Sequence, residues 1–187
     1  MKVIKRVIGA NTLRLWPMLV AVFTAPAFAG DVDSSAVTSL KVDIAAVKEL
    51  GTVSAVDGMT ASGQPDAAAL EVFAESGYAA VIDLRGPDEE RGFDQQAAVE
   101  DLGMDYINLP VVGRDGVSFD NAGKLSDILD RYDAPVLVHC GSSNRVGALV
   151  ALGASLDGAA DDAALEAGRE AGLTRLEGVV RERLEAD

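Results

Sequence analysis

Residues 136–147 read VLVHCGSSNRVG, and this stretch decides the fold because it sets out a strand, a polar loop and a helix in immediate succession. The apolar, β-branched-rich run 136–138 predicts a buried strand. The small polar residues 141–144 predict a loop, and the nearly continuous apolar run 146–156 predicts a buried helix. Strands that alternate with helices are typical of a single α/β domain with a largely parallel sheet flanked by helices.

This stretch also contains the chemistry, since the only cysteine of the chain, Cys140, directly follows the only histidine, His139. Backbone N–H groups at a helix start bind anions and favour an ionised thiol, so the sequence predicts an activated nucleophile here. Arg145 adds a planar guanidinium suited to a tetrahedral oxyanion. Because adjacent strand residues point to opposite faces, we expect the His139 ring to turn away from substrate and to support the loop as a buried, hydrogen-bonded group.

The first 29 residues are predicted to be a signal peptide that is absent from the fold. Four basic residues are followed by the apolar stretch 15–25 and by Ala27-Phe28-Ala29, an A-x-A cleavage pattern. An uncleaved anchor is the alternative, but Pro17 interrupts the apolar stretch, which is shorter than the ~20 residues of a spanning helix. We therefore expect a periplasmic or secreted protein, with no membrane association after cleavage.

The composition restricts the partners. Without the leader, four of the 16 basic residues and none of the 30 acidic ones are lost, which leaves a formal charge of −18 on 158 residues. That length suits one domain. Such acidity argues against nucleic acid as a partner, and it requires that an anionic substrate be captured by a local positive site. With one histidine and one cysteine, no zinc site or other metal site is expected.

The remainder of the chain predicts a lead-in segment at 30–50 followed by the domain at 51–187. The charged run 88–91 is expected to be a solvated loop, Asp83 and Arg85 to brace neighbouring loops, and Thr174 with Glu177 to form a capping box. The predicted elements are a hairpin around Asp57-Gly58, a helix from Pro65 to Gly77, a strand at 79–84, a helix at 93–102, a strand at 106–109, and helices at 118–131, 161–171 and 174–184.

Four segments together resemble the protein tyrosine and dual-specificity phosphatase-like family, and most of all its small bacterial beta-lactamase hydrolase-like domains, over most of residues 50–187. They are Ser62-Gly63-Gln64-Pro65, Val81-Ile82-Asp83-Leu84-Arg85, Asn108-Leu109-Pro110-Val111, and His139-Cys140 with Arg145. The resemblance implies hydrolysis of a phosphorylated substrate, a protein or a small molecule, through a cysteinyl-phosphate and without a metal or other cofactor.

The resemblance also implies roles for single residues. Cys140 is the nucleophile, Arg145 clamps the phosphate, and a loop aspartate is the general acid. The family's acid lies between the preceding strand and the helix that leads to the cysteine strand, which makes Asp115 our prediction and Asp120 the reserve; Arg114 beside it is expected to be exposed. The backbone amides that cradle the phosphate belong to Gly141, Ser142, Ser143, Asn144 and Arg145. The hydroxyl of Ser142 or Ser143 is a candidate donor to the thiolate.

Two features depart from the phosphatase pattern. Four residues, instead of five, separate Cys140 from Arg145, and Val146 stands where a hydroxyl residue is usual. A four-residue interval also resembles rhodanese sulfurtransferases, which carry a persulfide on the cysteine. His139 before the cysteine, the opening at 62–65 and the helices that end the chain favour the phosphatase interpretation. A sulfurtransferase and a non-catalytic oxyanion-binding domain are the alternatives.

Overall fold

The computed structural model describes residues 54–56 and 58–186. Five strands within these residues form one sheet. The order β1-β2-β5-β3-β4 has β2, β5, β3 and β4 parallel and β1 antiparallel to β2, which confirms the largely parallel sheet predicted from the sequence. The predicted signal peptide and lead-in segment lie outside the described residues. The strands are β1 (Ser54–Val56), β2 (Met59–Ser62), β3 (Ala80–Asp83), β4 (Asp105–Asn108) and β5 (Val136–His139).

Helices pack on both faces of this sheet. Alternate strand residues point to opposite faces, so Ile82 and Val138 join a large apolar cluster with α3 to α6, whereas Val81 and Leu137 join a smaller one with α1 and α2. This double burial explains why the central strands are apolar throughout. Among the described residues, the helices are α1 (Ala67–Glu75), α2 (Gln95–Asp101), α3 (Phe119–Leu129), α4 (Asn144–Leu156), α5 (Asp161–Glu170) and α6 (Glu177–Leu184). None of them is long and apolar enough to cross a membrane.

Helix α4 is the helix that the anion-binding prediction requires directly after β5. It is packed so closely against the segment around α5 that a Cβ on Gly147 would lie 2.2 Å from the Leu173 nitrogen and 2.5 Å from the Gly168 oxygen. Backbone therefore meets backbone at this crossing, and only glycine fits. The first turn of α4 is consequently held against α5 and the segment that follows it.

The parallel strands end level with one another. Ser62 of β2 pairs with His139 of β5, His139 pairs with Asp83 of β3, and Asp83 pairs with Asn108 of β4. Ligand sites of open α/β sheets lie beyond the carboxyl ends of the strands. Cys140 is the first residue past this row, so the sheet presents the thiol where a ligand site is expected.

The strands and helices predicted from local sequence patterns are present in the structure. The exception is the predicted start of the last helix, α6. The hairpin is present, and Asp94 and Ser118 cap α2 and α3 through their side chains. The predicted capping box of Thr174 is wrong because α6 begins only at Glu177, and the Thr174 N–H and hydroxyl both donate to the Asn144 Oδ1, at 2.8 and 3.2 Å. A distant side chain has replaced the local cap.

Candidate active site

The anion loop, residues 140–145, is attached to β2 as well as to its own strand. The Cys140 N–H donates to the Ser62 oxygen at 3.4 Å, and Ser142 forms an antiparallel bridge with Gly63. Cys140 itself is 1% exposed, whereas Gly141 and Ser142 are exposed. The thiol therefore lies at the base of the loop, and the mouth of the loop is formed by residues that follow it.

Ser143 gives the loop its turn into α4. It has a φ of 64°, the left-handed region that non-glycine residues rarely adopt, and it is the N-terminal cap residue of the helix. Its hydroxyl donates to the Ala171 oxygen at 2.8 Å, and the residue is fully buried. The prediction that Ser143 is a candidate donor to the thiolate is therefore wrong; of the two serines, the exposed Ser142 remains a candidate.

Asn144 ties the anion loop to the last helix. Its Oδ1 accepts from the N–H groups of Thr174, at 2.8 Å, and Leu176, at 3.3 Å. The side chain is thus committed to the segment that precedes α6. The predicted role of Asn144 in substrate binding, like those of Gly141, Ser142 and Ser143, concerns its backbone amide and stays a prediction.

Arg145 is held by Glu89 in a two-point ion pair. Its Nη1 and Nη2 donate to the two carboxylate oxygens of Glu89 at 2.5 and 2.7 Å. The pKa of Arg145 is raised first by these hydrogen bonds, which outweigh the opposing effect of burial, and next by the electrostatic influence of the Cys140 side chain beside it. The pKa of Glu89 is lowered for the same reason, chiefly by its hydrogen bonds with Arg145. The structure thus brings Cys140 and Arg145 together.

The guanidinium keeps one edge for a ligand. Besides Glu89, Nη1 lies 3.3 and 3.5 Å from the carbonyl oxygens of Val111 and Leu84. In the part of the chain that the structure describes, Nε and the second N–H of Nη2 donate to no oxygen or nitrogen, and the Cys140 side chain lies beside the guanidinium and contributes to its raised pKa. Nη2 lies 3.7 Å from the position that a Cβ on Gly141 would occupy, so this edge faces the anion loop. Two parallel N–H groups match two oxygens of a tetrahedral oxyanion.

The expectation that the charged run 88–91 is a solvated loop is wrong for two of its members. Glu89 turns inward because the Gly86 N–H donates to its Oε1 at 2.8 Å, and Arg91 donates from Nε to Asp83 at 2.9 Å. The sequence offers one general signal for Glu89. A partly buried guanidinium needs an acidic partner, and this run follows the strand that lies next to β5.

Asp83 is the centre of a buried ionic network below the loop. The carboxylate is fully buried and accepts from Arg85 Nε at 3.0 Å, from Arg91 Nε at 2.9 Å and from the Tyr106 hydroxyl at 3.0 Å. Burial acts to raise its pKa, but the hydrogen bonds from Arg85 prevail and lower the pKa to about 2. The prediction that Asp83 and Arg85 brace neighbouring loops is confirmed, since Arg91 belongs to the same loop as Glu89.

His139 connects this network to the anion loop. Because Arg85 Nη2 donates to the Gln95 Oε1, the amide nitrogen of Gln95 faces His139 Nε2, at 2.9 Å, and donates to it. The ring proton is then assigned to Nδ1, which lies 3.4 Å from the Cys140 oxygen. Burial lowers the pKa of His139 to about 4, so the ring is neutral near pH 7. The predicted buried, hydrogen-bonded histidine is confirmed.

A family model agrees with this geometry. The model of the phosphatase-like domain of beta-lactamase hydrolase-like proteins matches residues 49–157, more than half of the chain and the whole anion loop. The chain belongs to this family. Beta-lactamase hydrolase-like proteins from two strains of Xylella fastidiosa, Temecula1 and 9a5c, are each 35% identical over 101 residues, or 52% of this chain. That match is 23% of either relative, so the chain spans about a quarter of their length.

Solved structures share the fold of this phosphatase-like domain. A phosphatase-like protein of Neisseria meningitidis Z2491 has a TM-score of 0.60 at 21% identity, over 71% of this chain and 95% of that one. A DUF442 phosphatase-like protein of Shewanella putrefaciens CN-32 has a TM-score of 0.58 at 17% identity, over 76% and 92%. Tk-PTP in the active form has a TM-score of 0.57 at 22% identity, over 72% and 96%.

The candidate general acid of this phosphatase-like domain lies on an exposed loop. The Asp115 side chain is fully exposed, and its Oδ1 is 3.9 Å from Arg183 Nη2. The exposure predicted for Arg114 is confirmed, as its side chain is 63% exposed beside Glu182. Asp120, the reserve candidate, pairs with Lys124 at 2.6 Å in the first turn of α3. The assignment of Asp115 stays a prediction.

Proposed function

We propose that this protein is a cysteine-dependent phosphatase that hydrolyses phosphomonoesters. The observation that carries the proposal is the pairing of Cys140 with the ligand-facing edge of Arg145, at the N-terminus of α4. A phosphate placed there receives two N–H groups from the guanidinium and those of the loop backbone, while its phosphorus faces the sulfur. Family membership favours this chemistry over sulfur transfer.

The reaction would proceed in two displacements. The Cys140 thiolate attacks phosphorus, an S–P bond forms, the P–O bond to the ester oxygen breaks, and that oxygen takes a proton from Asp115. Water then attacks the cysteinyl-phosphate, giving up a proton to Asp115, and the S–P bond breaks to release phosphate and the thiolate. Arg145 balances the charge that spreads over the equatorial oxygens in both transition states.

The fixed position of Arg145 is what makes this stabilisation effective. Glu89 holds one end of the guanidinium, so little rearrangement is needed when the phosphate arrives at the other end. Asp83, Arg85 and the neutral His139 in turn brace the strands and the loop that carry Cys140 and Glu89. We further propose that the protein acts after export directed by residues 1–29, on a phosphorylated protein or small molecule.

The test is phosphatase activity of the chain from residue 30 on an aryl phosphate. We expect turnover in the wild type, none above background in Cys140→Ser, and a loss of about a hundredfold in Asp115→Asn. Acid quenching of Asp115→Asn during turnover, followed by peptide mass analysis, is expected to find one phosphoryl group on Cys140. Full activity in Cys140→Ser contradicts the proposal. Thiosulfate-to-cyanide transfer without phosphatase turnover selects the sulfurtransferase, and phosphate binding without either activity selects a binding domain.

A further inference from the structure

The acid loop, residues 112–117, is closed on itself around Asp115. The Gly116 N–H donates to the Val112 oxygen at 3.1 Å, and the Val117 N–H donates to the Arg114 oxygen at 3.2 Å. A Cβ on Gly116 would lie 2.5 Å from the Val112 nitrogen, so the turn is as tight as glycine permits. The loop is therefore a preformed unit, and its outside contacts decide where Asp115 lies.

Arg183 of α6 supplies contacts on both sides of Asp115. Its Nε donates to the Val117 oxygen at 3.1 Å, and its Nη2 donates to the Arg114 oxygen at 3.4 Å. The guanidinium thus brackets the candidate acid through the carbonyls of the residues before and shortly after it. The neighbouring pair of Arg114 with Glu182 is more than half exposed on both sides, and exposed pairs of this kind contribute little.

Helix α6 is itself fixed to the helix that begins at the anion loop. Val180 and Leu184 of α6 lie in the same buried cluster as Val146 of α4. The segment before α6 is attached to the Asn144 side chain, one residue from Arg145. One continuous set of contacts therefore runs from the anion loop through α6 to Arg183 and the acid loop.

We propose that Arg183 is a positioning residue for leaving-group protonation: it fixes the acid loop, and with it Asp115, relative to Cys140. This inference rests on the proposed function. A general acid must come within hydrogen-bond reach of the leaving oxygen, and a misplacement of about 1 Å costs on the order of a hundredfold. The forked guanidinium serves two carbonyl oxygens at once, which a lysine ammonium at the end of a flexible stem does less well.

The experiment compares Arg183→Ala with Arg181→Ala on two substrates. Arg181 is the matched control because it lies on the same helix and, among the described residues, its side chain bonds to Glu177 alone. Phenyl phosphate has a strongly basic leaving oxygen that needs protonation, whereas difluoromethylumbelliferyl phosphate has a weakly basic one. We expect Arg183→Ala to lower kcat/KM, which reports only the steps up to the first displacement, about tenfold on phenyl phosphate and less than about twofold on the other ester. Arg181→Ala is expected to act as wild type on both, and Arg183→Lys to recover part of the loss.

The double variant with Asp115→Asn separates positioning from general damage. In that background we expect Arg183→Ala to have no further effect on phenyl phosphate, because the acid is already gone. An equal loss of kcat/KM on both substrates, or an undiminished loss in the Asp115→Asn background, overturns the positioning role alone. An inactive wild type, or activity that survives in Cys140→Ser, overturns the proposed function. Amide hydrogen exchange adds a readout that is independent of turnover. The backbone amides of the acid loop should exchange faster in Arg183→Ala than in the wild type, and at the wild-type rate in Arg181→Ala.

Discussion

Glu89 accepts two hydrogen bonds, of 2.5 and 2.7 Å, from Arg145, although the two residues lie 56 positions apart in the sequence. The carboxylate is fixed in turn by the Gly86 N–H, and the loop that carries it is pinned to Asp83 by Arg91. A partly exposed ion pair ordinarily contributes little to folding. Here the ion pair serves to orient the Arg145 guanidinium, because the edge that faces the anion loop is held in position only while Glu89 binds the other end.

Replacing Glu89 by Gln is therefore expected to damage catalysis more than folding. The amide can accept one hydrogen bond from Arg145 but no longer offers two charged oxygens. We expect kcat/KM on an aryl phosphate to fall roughly tenfold, which corresponds to about 1.4 kcal/mol. Glu90→Gln, the exposed neighbour on the same loop, is the control and should leave kcat/KM unchanged. Equal kinetics for the two variants would refute the orienting role of Glu89.

Replacing Asp83 by Asn is expected to reduce the free energy of unfolding by about 3–5 kcal/mol, because it leaves the fully buried Arg85 without its counter-charge. Urea unfolding followed by circular dichroism measures this change. Asp120→Asn removes a carboxylate that is 74% exposed beside Lys124, and it should cost less than about 0.5 kcal/mol. Similar losses in the two variants would show that the Asp83 network does not brace the fold.

The pH dependence of stability is expected to show two separate segments. His139 has its pKa lowered from 6.5 to about 4, chiefly by burial. As the pH falls below 6.5, His139 is protonated in the unfolded chain but stays neutral in the folded one. The free energy of unfolding therefore decreases between pH 6.5 and about 4, by roughly 3 kcal/mol. Asp83, whose pKa is lowered from 3.8 to about 2, contributes stability above pH 3.8 that is lost as the pH falls towards 2.

His139→Asn isolates the first of these segments. The asparagine amide nitrogen takes the place of the ring Nδ1 but does not titrate. Unfolding free energies measured in urea from pH 7 to pH 4 are expected to decline less steeply in the variant than in the wild type. Parallel declines would mean that His139 has the same pKa in the folded and the unfolded chain.

Two substitutions of Ser143 separate strain from hydrogen bonding in the anion loop. Both Ser143→Ala and Ser143→Gly lose the hydroxyl that donates to Ala171, but only glycine adopts a φ of 64° without steric strain. We expect Ser143→Gly to be more stable than Ser143→Ala by about 1 kcal/mol, measured by thermal or urea unfolding. Ser142→Ala, on the exposed side of the loop, should unfold as the wild type does. If alanine is the better replacement, the left-handed turn is not strained.

The elements around the nucleophile were predictable because their signals are local. An apolar run of strand length, a small polar loop and an apolar run of helix length define β5 and α4 without reference to the remainder of the chain. The helix begins two residues before the apolar run at Val146, since Asn144 is polar but buried against the segment before α6. The orientation of His139 followed from the two-residue alternation of a strand.

Glu89 was not predictable from such patterns. The run Asp88-Glu89-Glu90-Arg91 has the composition of a solvated loop, and Asp88 and Glu90 are in fact exposed. What turns Glu89 inward is a backbone N–H of Gly86 and a guanidinium far along the chain. The predicted capping box of Thr174 was wrong for the same reason, because the Asn144 side chain, 30 residues away in sequence, accepts the Thr174 N–H. Partners that are distant in sequence decide both cases.

The level ends of β2, β5 and β3 have a consequence for anyone who would transplant this loop into another scaffold. A slip of β5 by a single position would turn both His139 and Cys140 to the opposite face, because successive residues face opposite sides. The imidazole would then face the base of the anion loop, and the sulfur would turn away from Arg145. A graft must therefore import three paired strands in their alignment, and six residues copied alone would not reproduce the chemistry.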